Sequence, residues 1–253
     1  MLKSLISAFL MYSRIPMPKV EWSEKNRRFS LCFFPLVGVV IGVFFLIWQL
    51  ICDHVGIGLL LRGTVAAAIP IMITGGIHLD GFCDVSDAMA SWGDKTRRLE
   101  IMKDSHIGAF AVIRVVLYFA LEIAVYSESD DKAAAIIAVG FVLSRCLSGI
   151  AAITFKSAKN EGSLYAFVNP AHRTITRISL AISAFCCMAA MLFISLTGLF
   201  TIVVAFAFFV YYRHFSYKNF GGITGDLAGW FLQICELLTA FSAVIILKIT
   251  EVL

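Results

Sequence analysis

The sequence predicts an all-α fold: a polytopic integral membrane bundle of about seven transmembrane helices, forming one domain over residues 1–253 with a cytoplasmic N-terminus. The chain is 60% hydrophobic and only 15% charged, with a mean hydropathy of +0.88. A soluble domain would be roughly half apolar and about a quarter charged. Apolar runs long enough to cross a bilayer recur along the chain, separated by short polar segments. The Lys and Arg residues also concentrate in alternate segments, as in membrane proteins of fixed orientation.

The first residues, 1–29, read as a basic cytoplasmic or interfacial lead-in. Within it, Leu2 to Tyr12 is short and amphipathic, and such a helix lies along a membrane surface. The apolar spans are then expected at residues 30–52, 57–77, 107–126, 133–155, 178–196, 199–212 and 226–247. Six spans are nearly as compatible, because the sixth is short and follows a break at Thr197-Gly198.

Two local signals refine the spans. Gly38 and Gly42 form a small-x-x-x-small pair, which lets another helix approach closely. Pro70 predicts a kink in the second span. After the sixth span, residues 213–225 are expected to form a loop.

The basic residues predict the orientation. With the N-terminus inside, sixteen Lys and Arg residues fall in cytoplasmic segments, against three on the other side: Arg62, Lys132 and Lys248. This is a strong positive-inside bias. The sequence therefore predicts a multi-pass protein of the cytoplasmic (inner) membrane, surrounded by lipid. The net charge of +4 is too small to indicate a nucleic-acid partner,.

The segment from Gly75 to Asp87 carries the strongest chemical signal. On a helix, Asp80, Asp84 and Asp87 stand at i, i+4 and i+7 and share one face. Carboxylates so close together repel one another, and oxygen-only ligands suit Mg²⁺ or Mn²⁺. The alternative is a solvated acidic helix face. The apolar flanks and the scarcity of charge favour a metal site.

The segment from Arg97 to Gly108 follows, mixing both signs of charge before a span. Arg98, Lys103 and Ser105 offer donors to phosphate oxygens, and Asp104 offers a further metal ligand. An ordinary cytoplasmic loop with interfacial anchors explains the same pattern.

A second glycine-rich segment runs from Gly221 to Asp226. Gly221, Gly222 and Thr224 precede a helix, where backbone N–H groups can approach an anion. Asp226 is expected to begin that helix, either as a metal ligand or simply as its cap.

Two opposite charges lie deep in apolar spans. Glu236 is about ten residues inside the last span, where a carboxylate is costly and indicates function. Arg145, in the fourth span, is its natural counter-charge. The pair is expected either to bind substrate or to form a purely structural ion pair.

Clustered carboxylates, a metal and basic residues suit transfer between a diphosphate and a hydroxyl or phosphate acceptor. His78, beside the aspartates, is a candidate for proton transfer or phosphate contact. The same acids would also serve a cation-coupled transporter using Glu236 and Arg145. Transporters concentrate such groups at the midplane, whereas most of these border cytoplasmic segments.

These motifs resemble the cobalamin synthase family, which includes adenosylcobinamide-GDP ribazoletransferase. The principal block is Gly75-Gly76-Ile77-His78-Leu79-Asp80-Gly81, continuing to Asp84 and Asp87. Further blocks are Leu99 to Ser105 with Gly108, and Gly221-Gly222-x-Thr224-Gly225-Asp226 with Gly229 and Glu236. Smaller matches are Arg14-x-Pro16-x-Pro18, Phe34-Pro35-Leu36-x-Gly38 and Ser144-Arg145. Gln233 departs from the family pattern, which often has glutamate there.

The resemblance implies a Mg²⁺-dependent transferase joining adenosylcobinamide-GDP to α-ribazole, or to its 5′-phosphate, with release of GMP. Asp80, Asp84 and Asp87 would then form the metal and diphosphate centre, completed by Asp104 and Asp226. His78, Arg98 and Lys103 would contact phosphate. CDP-alcohol phosphotransferases perform similar chemistry, but their second aspartate pair is missing at the required spacing. The choice of acceptor, its base and the state of oligomerisation, including a homo-oligomer, stay open.

Overall fold

The computed structural model describes residues 1–159 and 162–252. The elements of this part of the chain are helical, apart from one isolated bridge between Ser157 and Ile223. The helices are α1 Leu2–Tyr12, α2 Glu24–Arg27, α3 Phe34–Val55, α4 Leu59–Thr74, α5 Ile77–Ala90, α6 Lys95–Ile101, α7 Ala109–Ser127, α8 Asp131–Thr154, α9 Ser163–Val168, α10 Arg173–Ile194, α11 Gly198–Phe220 and α12 Gly225–Val252. A 3₁₀ turn at Ser30–Phe33 leads into α3.

The predicted all-α membrane bundle is confirmed. Among the described residues, six helices are long and apolar enough to cross a membrane: α3 with its lead-in, α7, α8, α10, α11 and α12. A seventh span results if α4 and α5 are counted together. Large apolar side chains such as Phe44, Leu60 and Phe193 point outward, as they do where lipid surrounds a bundle,. The chain is a multi-pass membrane protein.

The sharpest bend in the bundle lies between α4 and α5. The two helices meet at 98°, and the joint is Gly75-Gly76, with φ of 68° and 78°. Glycine adopts this left-handed backbone at little cost. Helix α4 continues through Pro70 to Thr74 before this bend, and the kink expected at Pro70 stays a prediction. The bend turns the acidic helix α5 onto α12, its main packing partner.

Helix α8 forms the centre of the bundle, with α3, α10 and α12 packed around it. The close approach predicted from Gly38 and Gly42 is confirmed. A Cβ at Gly42 would lie 2.8 Å from the Ala138 carbonyl oxygen, and one at Gly38 would overlap that of Phe141. Backbone-to-backbone contact of this kind provides the packing that membrane helices need.

Helix α11 differs from the expected span. It runs on to Phe220, so residues 213–220 are helical and not part of a loop. Arg213 lies 5.7 Å from the Phe155 ring centroid and 5.5 Å from that of Tyr217. These cation–π contacts stabilise the polar end of the helix. The apolar pattern ends before the helix does, which is why this span looked short.

Candidate active site

The candidate site lies where α5 crosses the start of α12. The two backbones touch at two glycines: a Cβ at Gly81 would stand 2.6 Å from the Asp226 carbonyl oxygen, and one at Gly229 would stand 2.8 Å from that of His78. Ordinary contact begins at 3.4 Å. Any side chain at either glycine would separate the helices. The glycines therefore hold the acidic face of α5 against the Asp226 end of α12.

A cavity of about 270 Å³, called here the central cavity, opens beside this crossing. Three predicted site residues line it: His78, Asp80 and Asp226. Its other walls come from α1, the 3₁₀ turn, α3, α8, α9 and α12, and are largely apolar. The cavity is thus bounded by a few charged side chains among mostly apolar ones.

The carboxylates of the site repel one another. Asp84 interacts unfavourably with Asp226, Asp80 and Asp87, and part of its surface is buried. Asp226 is attracted by Lys159. Placing Asp226 of α12 among the α5 acids required the tertiary structure. This grouping includes Asp226, which the family resemblance had implied would complete the centre.

The donor set fits Mg²⁺ by its chemistry. It consists of carboxylate oxygens whose mutual repulsion a divalent cation would relieve. Within residues 1–159 and 162–252, no three His, Cys, Asp or Glu side chains converge on one point. A preformed cage is not required, because Mg²⁺ usually takes one or two carboxylates together with waters and substrate phosphates. Asp80, Asp84 and Asp226 therefore stay the predicted ligands of such a cation.

Asp87 has a different environment from the other acids. Its Oδ2 accepts the Gly108 backbone N–H at 2.6 Å, and its Oδ1 accepts that of Ala111 at 2.9 Å. Both oxygens therefore satisfy donors at the start of α7, which is a capping role supplied by another helix. Asp87 ties α7 to α5, and its role as a metal ligand stays a prediction.

His78 is buried beside the cavity. Only 6% of the residue is exposed, and its ring stands edge-on to Phe34, with centroids 6.1 Å apart. Its Nε2 finds no hydrogen-bond partner in the described part of the chain. Buried ring nitrogens normally have a partner. His78 lines the central cavity, so its predicted contact with a ligand there stays a prediction.

The predicted site residues that follow α6 do not line the central cavity. Asp104 is exposed; its Oδ1 accepts the His106 backbone N–H at 3.0 Å and lies 2.7 Å from that ring's Nδ1. These bonds hold the pKa of the Asp104 carboxyl below its usual range. Lys103 and Ser105 are exposed as well. None of the three lines the central cavity, so the structure does not place Asp104 among the metal ligands.

Arg98 belongs to α6 and does not line the central cavity. Its Nη1 donates to Asn219 Oδ1 at 2.8 Å, while its Nε is buried without a described partner. The contact joins α6 to the cytoplasm-assigned end of α11. A phosphate-binding role for Arg98 stays a prediction.

The Gly221–Asp226 segment corrects one expectation. The Gly221 N–H donates to the Tyr217 carbonyl and the Gly222 N–H to that of Ser216, so these groups are not free to bind an anion. Thr224 Oγ1 accepts the Leu227 N–H at 3.2 Å. Thr224, and not Asp226, therefore caps α12, which leaves the Asp226 carboxylate facing the cavity.

The buried charges Arg145 and Glu236 pair with each other. Arg145 Nη1 donates to Glu236 Oε1 at 2.7 Å, and the side chains are 1% and 2% exposed. Ser144 Oγ also donates to this oxygen at 2.8 Å. Neither residue lines the central cavity. Of the two roles expected for the pair, the structure shows the ion pair, which joins α8 to α12, and a substrate contact stays a prediction.

Sequence reasoning missed several cavity residues. Tyr12, Phe34 and Ser148 line the cavity although they come from α1, α3 and α8. Only the minor matches around Arg14 and Pro35 drew attention to those segments. Apolar and small residues carry no chemical signal until the fold brings them beside charged groups.

Comparison with known proteins decides the family. A family model described as cobalamin-5-phosphate synthase matches residues 4–244. The chain belongs to the cobalamin-5-phosphate synthase family. The family predicted from the three blocks is thereby confirmed.

Curated members of this synthase family match nearly the whole chain. One from Lachnoclostridium phytofermentans, named adenosylcobinamide-GDP ribazoletransferase, is 45% identical over 249 residues, covering 96% of this chain and 94% of the relative. Relatives with the same name from Clostridium botulinum strain Alaska E43 and Pseudomonas fluorescens are 34% and 32% identical, covering 95% and 88% of this chain and 96% and 90% of their own. No solved structure matches. The protein is a transferase of the cobalamin synthase family. This membership favours an enzyme over the cation-coupled transporter that the buried charges also suggested.

Proposed function

We propose that this protein is a Mg²⁺-dependent adenosylcobinamide-GDP ribazoletransferase. It joins adenosylcobinamide-GDP to α-ribazole, or to α-ribazole 5′-phosphate, and releases GMP. The product is adenosylcobalamin or its 5′-phosphate. One observation carries the proposal: Asp80 of α5 and Asp226 of α12 line one cavity, and Asp84 interacts electrostatically with both. The names of the relatives supply the substrates.

Asp80, Asp84 and Asp226 hold the cation in this proposal. Bound Mg²⁺ neutralises diphosphate charge and stabilises the leaving phosphate. The carboxylates come from two helices that are locked by glycine contacts, so their positions are fixed before substrate arrives. Such preorganisation lowers the cost of stabilising charge in the transition state.

The transfer itself is a displacement at phosphorus. The hydroxyl oxygen of the ribazole forms a bond to the phosphorus attached to cobinamide, and the bond from that phosphorus to the GMP oxygen breaks. GMP leaves with the bonding electron pair, and the hydroxyl proton passes to solvent water. In this proposal His78 Nε2, which lacks a described partner, accepts a hydrogen bond from this hydroxyl and orients it,. Positioning of this kind supplies much of the catalysis in phosphoryl transfer.

The apolar wall of the central cavity suits the aromatic base of the acceptor. Tyr12 and Phe34 both line this cavity, with ring centroids 4.3 Å apart. An aromatic base packs well against such rings. The base would lie among them while its sugar reaches Asp80.

The protein is proposed to act in the cytoplasmic membrane with its site facing the cytoplasm. The positive-inside bias supports this orientation. The carboxylate cluster begins at the ends of α5 and α12 that the same rule assigns to the cytoplasm. Nucleotide substrates would therefore reach it directly.

The test is an assay of purified full-length protein with adenosylcobinamide-GDP, α-ribazole and Mg²⁺, following GMP release. Wild-type protein should release GMP only with Mg²⁺, and Asp84→Ala should be inactive. Glu21→Ala is the control, since Glu21 is an exposed acid of the lead-in that lines no described part of the central cavity. No GMP from wild type, or full activity in Asp84→Ala, would overturn the proposal.

A further inference from the structure

A second cavity, of about 460 Å³, lies on the other side of Asp80. It is called here the Arg14 cavity, and its walls are the end of α1, the residues after it and the α4–α5 joint. It shares Met11, Ile77 and Asp80 with the central cavity. Any phosphate held at Asp80 therefore has open space on this side as well as on the ribazole side.

Arg14 is the basic side chain that lines this cavity. Across residues 1–159 and 162–252, its guanidinium makes no hydrogen bond or ion pair, and it is exposed to solvent. A planar guanidinium presents a fork of N–H donors that matches phosphate oxygens. Asp80, the acid of the same cavity, marks where a phosphate-bound cation would stand.

The structure fixes Arg14 in this place. The Arg14 backbone N–H donates to the Ile73 carbonyl at 2.7 Å, which anchors the segment after α1 to the end of α4. The Arg14 side chain lies across Gly75, where an added Cβ would come within 2.5 Å of its Nε and 2.9 Å of its Cδ. Gly75 thus leaves room for the arginine at the bend. The position of Arg14 is therefore set by its backbone hydrogen bond and by the packing of its side chain on Gly75, unlike that of an ordinary surface arginine.

We infer that Arg14 is a phosphate-binding residue of this transferase, holding a substrate phosphate in the Arg14 cavity next to Asp80. The inference rests on the proposed function and adds a residue to it. The phosphate belongs either to the diphosphate of adenosylcobinamide-GDP or to the 5′-phosphate of the acceptor. Both present the same oxygens, and the experiment separates them.

The test uses Arg14→Met in the full-length protein, because methionine keeps an apolar stem over Gly75 and removes only the guanidinium. Steady-state KM and kcat are measured for adenosylcobinamide-GDP, α-ribazole and α-ribazole 5′-phosphate. Loss of a charge-assisted phosphate contact should raise the relevant KM about 10- to 100-fold. Arg177→Met is the matched control, because Arg177 is exposed and lines neither cavity.

The pattern of KM changes identifies the phosphate. A higher KM for the corrinoid substrate with either acceptor assigns Arg14 to the diphosphate. A higher KM for α-ribazole 5′-phosphate, with α-ribazole unchanged, assigns it to the acceptor. Arg14→Lys, which keeps the charge, should recover part of the loss. If no KM changes, if only kcat falls, or if Arg177→Met has the same effect, the inference is wrong.

A separate measurement keeps this result distinct from failure of the proposed function. Binding of GDP and of α-ribazole 5′-phosphate to wild type and Arg14→Met is followed by calorimetry in detergent. If wild type releases no GMP, the proposed function fails. Arg14 is then judged by binding alone, and equal affinities of both probes for the two proteins would overturn its role.

Discussion

A single methyl group at Gly81 should disable the site without unfolding the protein. In Gly81→Ala, the new Cβ would lie 2.6 Å from the Asp226 carbonyl oxygen and 2.7 Å from its Cα. Ordinary contact begins at 3.4 Å, so the shortfall is about 0.8 Å. The opposing atoms are backbone and cannot rotate away. Helix α5 must therefore move off α12 by most of that distance.

The expected size of the effect follows from this displacement. Overpacking of this kind costs about 1–3 kcal/mol, which a bundle of this size should survive. A displacement of about 1 Å between catalytic groups costs on the order of 100-fold in rate. GMP release by Gly81→Ala should fall by about that factor. The loss should appear mainly in kcat, because the cavity walls contributed by α1 and α8 are unchanged.

The assay compares initial rates of GMP release and thermal melting in detergent. Gly58→Ala is the matched control, since no atom lies within 4 Å of the Cβ it would add. It should behave as wild type in both measurements. Gly229→Ala, whose Cβ would lie 2.8 Å from the His78 carbonyl oxygen, tests the same interface from α12. Rates for Gly81→Ala and Gly229→Ala equal to that of the control would refute the reasoning.

Three further predictions concern charged residues. Asp84→Asn removes one charge from a repelling cluster, so it should abolish GMP release yet raise the melting temperature in EDTA; a lower temperature would contradict this. Arg145→Met leaves Glu236 buried and unpaired and should cost about 3–5 kcal/mol of stability. Adding Glu236→Met should recover part of that loss in a double-mutant cycle, and simple additivity would count against the pair. Asp87→Ala should cost about 0.5–2 kcal/mol and weaken hydrogen-exchange protection in the first turn of α7, whereas unchanged protection would exclude the capping role.

The spans were largely predictable because membrane crossing depends on local composition. The third span was expected at 107–126, and α7 runs from Ala109 to Ser127. A backbone in lipid must satisfy its own hydrogen bonds, so a long apolar run has essentially one available structure. The helical register of Asp80, Asp84 and Asp87 was equally local and is confirmed by α5.

Two local features that the sequence did not predict have physical causes. Helix α4 continues through Pro70, while the sharp bend falls where two glycines accept left-handed backbone. The Gly221 and Gly222 N–H groups looked available to an anion, but nearby carbonyls of α11 accept them. In each case the residues that decide the local structure lie within a few positions of one another. Composition alone does not show where the backbone bends or which carbonyl accepts a given N–H.

By itself, the sequence determined the membrane bundle, the family and the acidic face of α5, because these depend on residues close together in the chain. Only the tertiary structure decided what each charge faces. It assigned both Asp87 oxygens to α7 and placed the Arg14 side chain over Gly75. It also brought Asp226 against α5, and of the two roles open to Arg145 and Glu236 it showed the ion pair. These partners are distant in the chain and meet only through helix packing. A local pattern such as Gly38-x-x-x-Gly42 indicates that a helix can approach closely, but it does not say which helix does, because packing also depends on side-chain shape.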